Sequence, residues 1–345
     1  MRTVVPFIIL GAILWALLAF VFFPAPSNTV RIAAGVQGGA YIGFAQRYQR
    51  ILTEQGLTVD IIETAGSLEN LRLLENKDVD IALVQGGIAS PRTDPGIKSL
   101  GGFFAEPVWL FVSKDYPIED FGDLREARMA IGEIGSGQRS LALLLQSEWG
   151  GDWAQSSQLE TGAEAAAEAL LAGELDAVIY IAAVNAPFMQ DLLRHEAVDL
   201  IAFERAPALA RRQPALTAVT LLQGVIDLDK NQPDRDIHLV APVAQLLTRQ
   251  GLGKSIQSEM LDAAYQVHSS GSLLFLPGTF PDANLTDLPL TSEAKRYHKR
   301  GQKTLRALFS FRIANFFERS WMLGLSFSVL LLALFGRLFR SRSRF

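Results

Sequence analysis

The sequence predicts an α/β body of two lobes, framed by an apolar segment at each end. Three observations carry that expectation. The chain has 345 residues, of which 49% are hydrophobic and 20% charged, so it holds enough apolar material for two cores. Short β-branched runs alternate with segments of helical period, and glycine-rich turns join them, which is the pattern of parallel strands with crossover helices. Charge is divided along the chain: residues 31–292 hold 19 basic and 34 acidic residues, and residues 293–345 hold 12 basic and 2 acidic ones. The acidic body argues against a nucleic-acid partner, and the basic end points to a membrane surface.

The first apolar segment, Val4 to Pro24, runs 21 residues without a charge, which is about the ~20 residues a spanning helix needs. Arg2 precedes it, so its start is expected in the cytoplasm and the body on the exported side. A cleaved signal peptide is the alternative, although Phe23-Pro24-Ala25 is a poor small-x-small site. The second segment, Ser320 to Gly336, has 17 uncharged residues between Arg319 and Arg337, at the lower limit for a span. A core helix of a soluble domain is its alternative. Ahead of it, Leu305, Leu308, Phe309, Ile313, Phe316 and Phe317 recur at three- and four-residue spacing, with Lys303, Arg306, Arg312 and Arg319 on other faces. That reads as an amphipathic helix on the bilayer or as a helix packed on the body.

Within the body, Val30–Ala34 is an apolar strand, the turn Gly35–Ala40 follows, and Tyr41 to Gln55 has helical period. Val59–Glu63, the loop Thr64–Ser67, the helix Leu68–Asn76 and the strand Ile81–Val84 repeat the unit. Val108–Ser113 is a further strand. Met129–Gly132 opens the second lobe, with the loop Gly135–Arg139 before the helix Ser140–Trp149. A helix at Ala163–Leu171, strands at Ala177–Ile181, Val219–Val225 and Ile237–Ala241, and a helix at Ser255–His268 complete the reading. The expected boundaries are an anchor or signal peptide at 1–28, lobe 1 at 29–113, lobe 2 at 114–225 and a return to lobe 1 at 226–290. A basic juxtamembrane segment at 291–319 and a span with a basic tail at 320–345 follow.

Cysteine is absent, which excludes disulfides, thiolate metal sites and a cysteine nucleophile. The four histidines, His195, His238, His268 and His298, lie far apart and read as isolated surface residues. No HExxH and no G-x-S-x-G is present. The first loop, Gly35-Val36-Gln37-Gly38-Gly39, has neither dinucleotide spacing nor the lysine of a phosphate loop. Its glycines let backbone N–H groups approach an anion at a helix start, or simply make a tight turn. Loops 64–67 and 135–138 repeat the device on both lobes, and three such loops imply a polar cleft rich in backbone donors.

These loops resemble TAXI-type solute-binding subunits of tripartite ATP-independent periplasmic (TRAP) transporters. The matching residues are Gly38-Gly39-Ala40-Tyr41, Thr64-Ala65-Gly66-Ser67-Leu68-Glu69-Asn70-Leu71-Arg72-Leu73-Leu74 and Asp80 to Gln85. Glu106-Pro107, Gly132 to Gly137 and Leu171 to Ala177 extend the likeness, which covers roughly residues 30–280. Leu290 to Tyr297 with Ile313-Ala314-Asn315 resembles a membrane-tethered subset that ends in a closing span. The resemblance implies a type II periplasmic-binding-protein fold closing on a small organic anion, a carboxylate or acidic amino acid, with no cofactor and no catalysis. It implies ligand-binding residues Gly39, Tyr41, Thr64, Gly66, Ser67, Asn70 and Gln85 from lobe 1, and Ser136, Gln138, Arg139, Tyr180 and Asn185 from lobe 2. The implied partners are transporter membrane subunits or another membrane protein, and the lipid bilayer of the inner membrane. A ligand sensor using the same cleft is the alternative, and an enzyme would need a general base there that the sequence does not force. Gly86-Gly87 and Gln138 depart from the family, which often has a polar residue and an acid at the first site and threonine at the second.

Overall fold

A computed structural model describes residues 28–116, 118, 121–149, 158–159, 162–182, 184 and 187–301, with scattered helical positions between 11 and 18 and between 311 and 326. Two mixed sheets divide the body. Lobe 1 starts with β1 (Thr29–Ala33), α1 (Ala40–Glu54), β2 (Thr58–Ile62), α2 (Ser67–Glu75), β3 (Ile81–Val84) and β4 (Ile97–Ala105). Lobe 2 has β5 (Val108–Ser113), β6 (Met129–Ala130), α3 (Gly137–Glu148), β7 (Gln158–Leu159), α4 (Ala163–Leu171), β8 (Ala177–Ile181), α5 (Pro187–Arg194) and β9 (Val198–Leu200). It continues through α6 (Ala206–Arg212) and β10 (Leu216–Leu221) into the long β11 (Ile237–Arg249). The chain then adds α7 (Lys254–His268) and α8 (Ser292–Arg300) to lobe 1.

In lobe 1 the order is β2-β1-β3-β11, with β1 parallel to both neighbours and β11 antiparallel to β3. The second half of β11 also pairs antiparallel with β4, and its first half pairs with β10. In lobe 2 the order is β7-β6-β8-β5-β9, parallel among β7, β6 and β8 and antiparallel on both sides of β5. The helices form because their apolar residues share a face: Ile42, Ala45, Tyr48 and Leu52 of α1 recur every three or four positions and are all buried. They join Val30, Ile32, Leu83 and Leu246 in one core, while Trp109, Phe111, Ile179 and Leu145 anchor the other.

The chain passes between lobes twice. The first crossing is Glu106-Pro107, between β4 and β5. The second lies at Pro242 inside β11, because Ile237, Leu239, Val240 and Ala241 belong to the lobe 2 core. This is later than the return at residue 226 expected from the sequence. The two crossings are stitched together where Glu106 N donates to the Pro242 carbonyl at 3.0 Å. A hinge of two adjacent strands is the arrangement that lets two lobes rotate as bodies.

Two histidines differ from the surface reading. His268 is buried among Phe44, Phe103 and Phe104 and bonded to the Tyr48 hydroxyl, and burial, then the charge of Arg47, brings it down to about 3. His298 sits between the Tyr265 hydroxyl at 2.8 Å and the Leu100 carbonyl at 2.7 Å. Among the described residues no helix is long and apolar enough to cross a membrane. The two expected spans and the expected amphipathic helix lie almost wholly outside those residues.

Candidate functional site

Three helix starts meet beside the hinge. The first belongs to α1. Gly39, its N-cap, has extended backbone, and its N–H donates to the Val36 carbonyl at 3.1 Å, so the loop closes on itself. Tyr41 stands in the first turn. Its hydroxyl donates to Glu106 Oε2 at 2.8 Å and also reaches the Ser67 hydroxyl. Its ring meets Phe104 edge-on at 5.9 Å.

The second start is α2. Gly66 turns the chain into it with φ 128° and ψ −154°, a conformation that a side chain rarely adopts. Thr64 Oγ1 accepts from Gly66 N at 3.2 Å and donates to Asn70 Oδ1 at 2.5 Å. Asn70, with no exposed surface, donates through Nδ2 to the Ala34 carbonyl and to the Leu83 carbonyl at 2.7 Å, joining the ends of β1 and β3. Ser67 Oγ accepts from Gln85 N at 3.0 Å. The sequence read Thr64 and Asn70 as ligand contacts; their hydrogen-bonding groups are committed to holding the loop.

The third start is α3, from lobe 2. Ser136 caps it, accepting from Arg139 N at 3.1 Å and donating to the Glu133 carbonyl at 2.7 Å. Gln138 Nε2 donates to the Ile179 carbonyl at 2.8 Å, and Arg139 Nη1 to the Gly132 carbonyl at 3.3 Å, so both side chains serve lobe 2 itself. The helix start presses on lobe 1: Gln85 Nε2 donates to the Gly137 carbonyl at 3.2 Å. A Cβ at Gly137 would lie 2.7 Å from Gln85 Oε1 and 3.3 Å from Ser67 Oγ, so a larger residue there requires the Gln85 side chain to move.

Tyr41, Gly66, Ser67, Gln85 and Ser136 therefore come together around the junction, with Gly39 just behind Tyr41. Tyr180 does not: it is buried in lobe 2 against Phe188 and Phe111, and its hydroxyl donates to the Ala163 carbonyl at 2.8 Å. Asn185 lies outside the described residues. Among the described residues, the backbone amides of Ser67, Leu68, Gly137 and Gln138 have no acceptor, which leaves the positive ends of α2 and α3 facing one junction.

Sequence reasoning missed Glu106 as a site residue. It is 5% exposed and forms no ion pair among the described residues; burial pushes its carboxyl up to about 8, with the Tyr41 hydroxyl pulling the other way. Glu106-Pro107 at a strand end was its signal, read there as likeness rather than as chemistry. The Gly86-Gly87 departure also has a neighbour: Asp287, from the late chain, accepts from Gly87 N at 2.7 Å and from Gln245 Nε2 at 2.7 Å. No group of acidic or histidine residues suited to a metal ion occurs among the described residues.

Residues 32–270, more than half of the chain, match the model of the NMT1-like family. The chain belongs to the NMT1-like family. Its fold is accordingly periplasmic-binding-protein-like, with the α/β lobes described above. A search of curated proteins gives no significant match. Among solved structures, this NMT1-like chain is similar to a protein from Bordetella bronchiseptica RB50, at 16% identity and TM-score 0.48 over 71% of this chain and 73% of that one. It is similar to an ancestral arginine-binding protein bound to arginine, at 12% identity and TM-score 0.43, over 71% of this chain and 95% of that one. The substrate binding protein of an amino acid ABC transporter gives 11% identity and TM-score 0.44, over 71% and 95%.

Proposed function

We propose that the chain is a membrane-tethered, periplasm-facing solute-binding protein of the TAXI type. It captures a small organic carboxylate and delivers it to a secondary transporter, by hinge closure rather than catalysis. One observation carries the reading: unpaired amides at the starts of α2 and α3, one from each lobe, converge beside a two-strand hinge. A carboxylate placed between them satisfies donors from both lobes at once. It thereby favours the closed form over the open one, which is the differential affinity that closure requires. Ser67, Gln85 and Tyr41 line the lobe 1 side, and Ser136 fixes the lobe 2 side by capping α3. Glu106 sits beneath Tyr41 at the hinge, where burial keeps its carboxyl protonated at neutral pH, so it presents no negative charge to the ligand at that end.

Thermal-shift screening of the detergent-solubilised full chain against small carboxylates tests this, followed by calorimetry on the best hit. Ser67→Ala is expected to weaken that hit by about 1–2 kcal/mol, roughly tenfold in Kd, because a buried polar partner is lost. Tight binding unchanged by Ser67→Ala would move the site elsewhere.

A further inference from the structure

Away from the cleft, the two ends of the chain meet. Positions 11, 13–15, 17 and 18 are helical, and so are 311, 313, 316 and 320. In the first set, Gly11 is buried and Trp15 and Leu18 are half-buried, at the four- and three-residue spacing of one helix face. Trp15 Nε1 donates to the Ser320 backbone carbonyl at 3.2 Å, and its ring lies 5.4 Å from that of Phe316 at 58°. Ser320 is buried, and its hydroxyl donates to the Phe316 carbonyl at 2.7 Å. A few residues earlier, Phe311 is buried within the lobe 1 core that also contains Tyr297 of α8 and Leu261 of α7. Among the described residues, contacts thus tie Phe311 to the folded body and tie Phe316 and Ser320 to the N-terminal helical positions.

The opposite face of the N-terminal helix is different. Ile13, Leu14 and Leu17 are 51%, 45% and 58% exposed. No charged residue stands between Arg2 and Arg31, so this face has no means of being solvated by its own side chains. In sequence, Arg312 and Arg319 fall within the C-terminal segment and Arg337, Arg340, Arg342 and Arg344 follow it, a basic set suited to anionic headgroups.

We infer that the N-terminal segment stays in the mature protein as one half of an intramolecular helix pair, closed by Trp15 on Phe316 and Ser320 and turned outward to lipid through Ile13, Leu14 and Leu17. The lipid half rests on the membrane-tethered reading proposed above; the pairing does not. A leader removed before residue 28 leaves Ser320 and Phe316 without this partner, so retention and pairing stand together.

The absence of cysteine makes a direct test simple. The double variant Trp15→Cys with Ser320→Cys is made in the full chain, treated in isolated membranes with a short bis-maleimide, and compared with Leu17→Cys plus Ser320→Cys, whose first thiol lies on the outward face. The expected result is at least a fivefold higher intramolecular yield for the first pair, independent of protein concentration, with an N-terminal peptide containing residue 15 in the mature protein. Equal yields, cross-linking only between molecules, or a mature N-terminus beyond residue 24 would overturn the pairing. Carbonate extraction of the unmodified full chain separates the two ideas. A cross-linkable chain released by carbonate refutes the lipid-facing half and the tether together. A chain that sediments with membranes but fails to cross-link keeps the tether and refutes the pair.

Discussion

The two lobes hold their halves of the cleft in different ways. In lobe 1, Thr64, Ser67, Asn70 and Gln85 are all buried, and their bonds tie loop 64–67 to the ends of β1 and β3. In lobe 2, Ser136, Gln138 and Arg139 are only half-buried, and the loop is held by the Ser136 cap and by side-chain bonds to the Glu133, Ile179 and Gly132 carbonyls. A buried network that is fully satisfied is rigid, whereas half-exposed bonds exchange with water at little cost. Lobe 1 thus presents a preset surface and lobe 2 an adjustable one. The hinge acid Glu106 belongs to the preset side, since its partner is Tyr41 of α1.

The largest effect that would sharpen this contrast concerns Glu106. Burial raises its carboxyl from 4.5 to about 8, so the folded protein holds that proton more tightly than the unfolded chain. Its contribution is most favourable below about pH 4.5, declines as the pH rises to about 8, and is constant beyond. The loss is on the order of 5 kcal/mol across that window. Glu106→Gln is expected to remove this slope from urea-denaturation stability measured between pH 5 and 8; an unchanged slope would mean that the acid is not buried as described. Next comes Asn70→Ala, which strands the Ala34 and Leu83 carbonyls and the Thr64 hydroxyl. A destabilisation of about 3 kcal/mol in the same assay is expected. Ser136→Ala, the matching change on the adjustable side, removes a helix cap and is expected to cost about 1 kcal/mol. Smaller still, Gln85→Ala deletes the bond to the Gly137 carbonyl. It should leave stability within about 0.5–1 kcal/mol of the parent while widening the lobe separation seen by spin-label distances. A larger cost for Ser136→Ala than for Asn70→Ala would reverse the comparison.

Much of this was legible from the sequence, for identifiable reasons. The strands β1, β2, β3, β5 and β8 are short apolar runs closed by glycine or polar turns, so periodicity alone marks them. β4 escaped because Gly101-Gly102 interrupts it and Lys98 and Ser99 break its apolar run, although its pairing with β11 buries most of it. The length of β11 was hidden by Pro242, which reads as a strand end but here marks the passage from one lobe to the other. For the site, loop positions were visible and side-chain commitments were not. Asn70 and Thr64 have the chemistry of ligand donors, and only the carbonyl ends of β1 and β3 reveal where that chemistry is used. Tyr180 was implied as a cleft residue by the resemblance alone, yet the Ala163 carbonyl draws its hydroxyl into lobe 2. Glu106 entered the sequence reading only through the likeness carried by Glu106-Pro107. Its importance comes from long-range packing, since Tyr41 and Pro242 lie far away in the chain.

The central claim is that a carboxylate bridges the starts of α2 and α3 and draws the lobes together. The most direct measurement is a spin-label distance between Leu68→Cys on α2 and Leu143→Cys on α3, in the detergent-solubilised full chain, with and without the best carboxylate from the screen. The account predicts a single shorter, narrower distance when the ligand is bound and a longer, broader one in its absence. An identical distribution in both states, at saturating ligand, would contradict it.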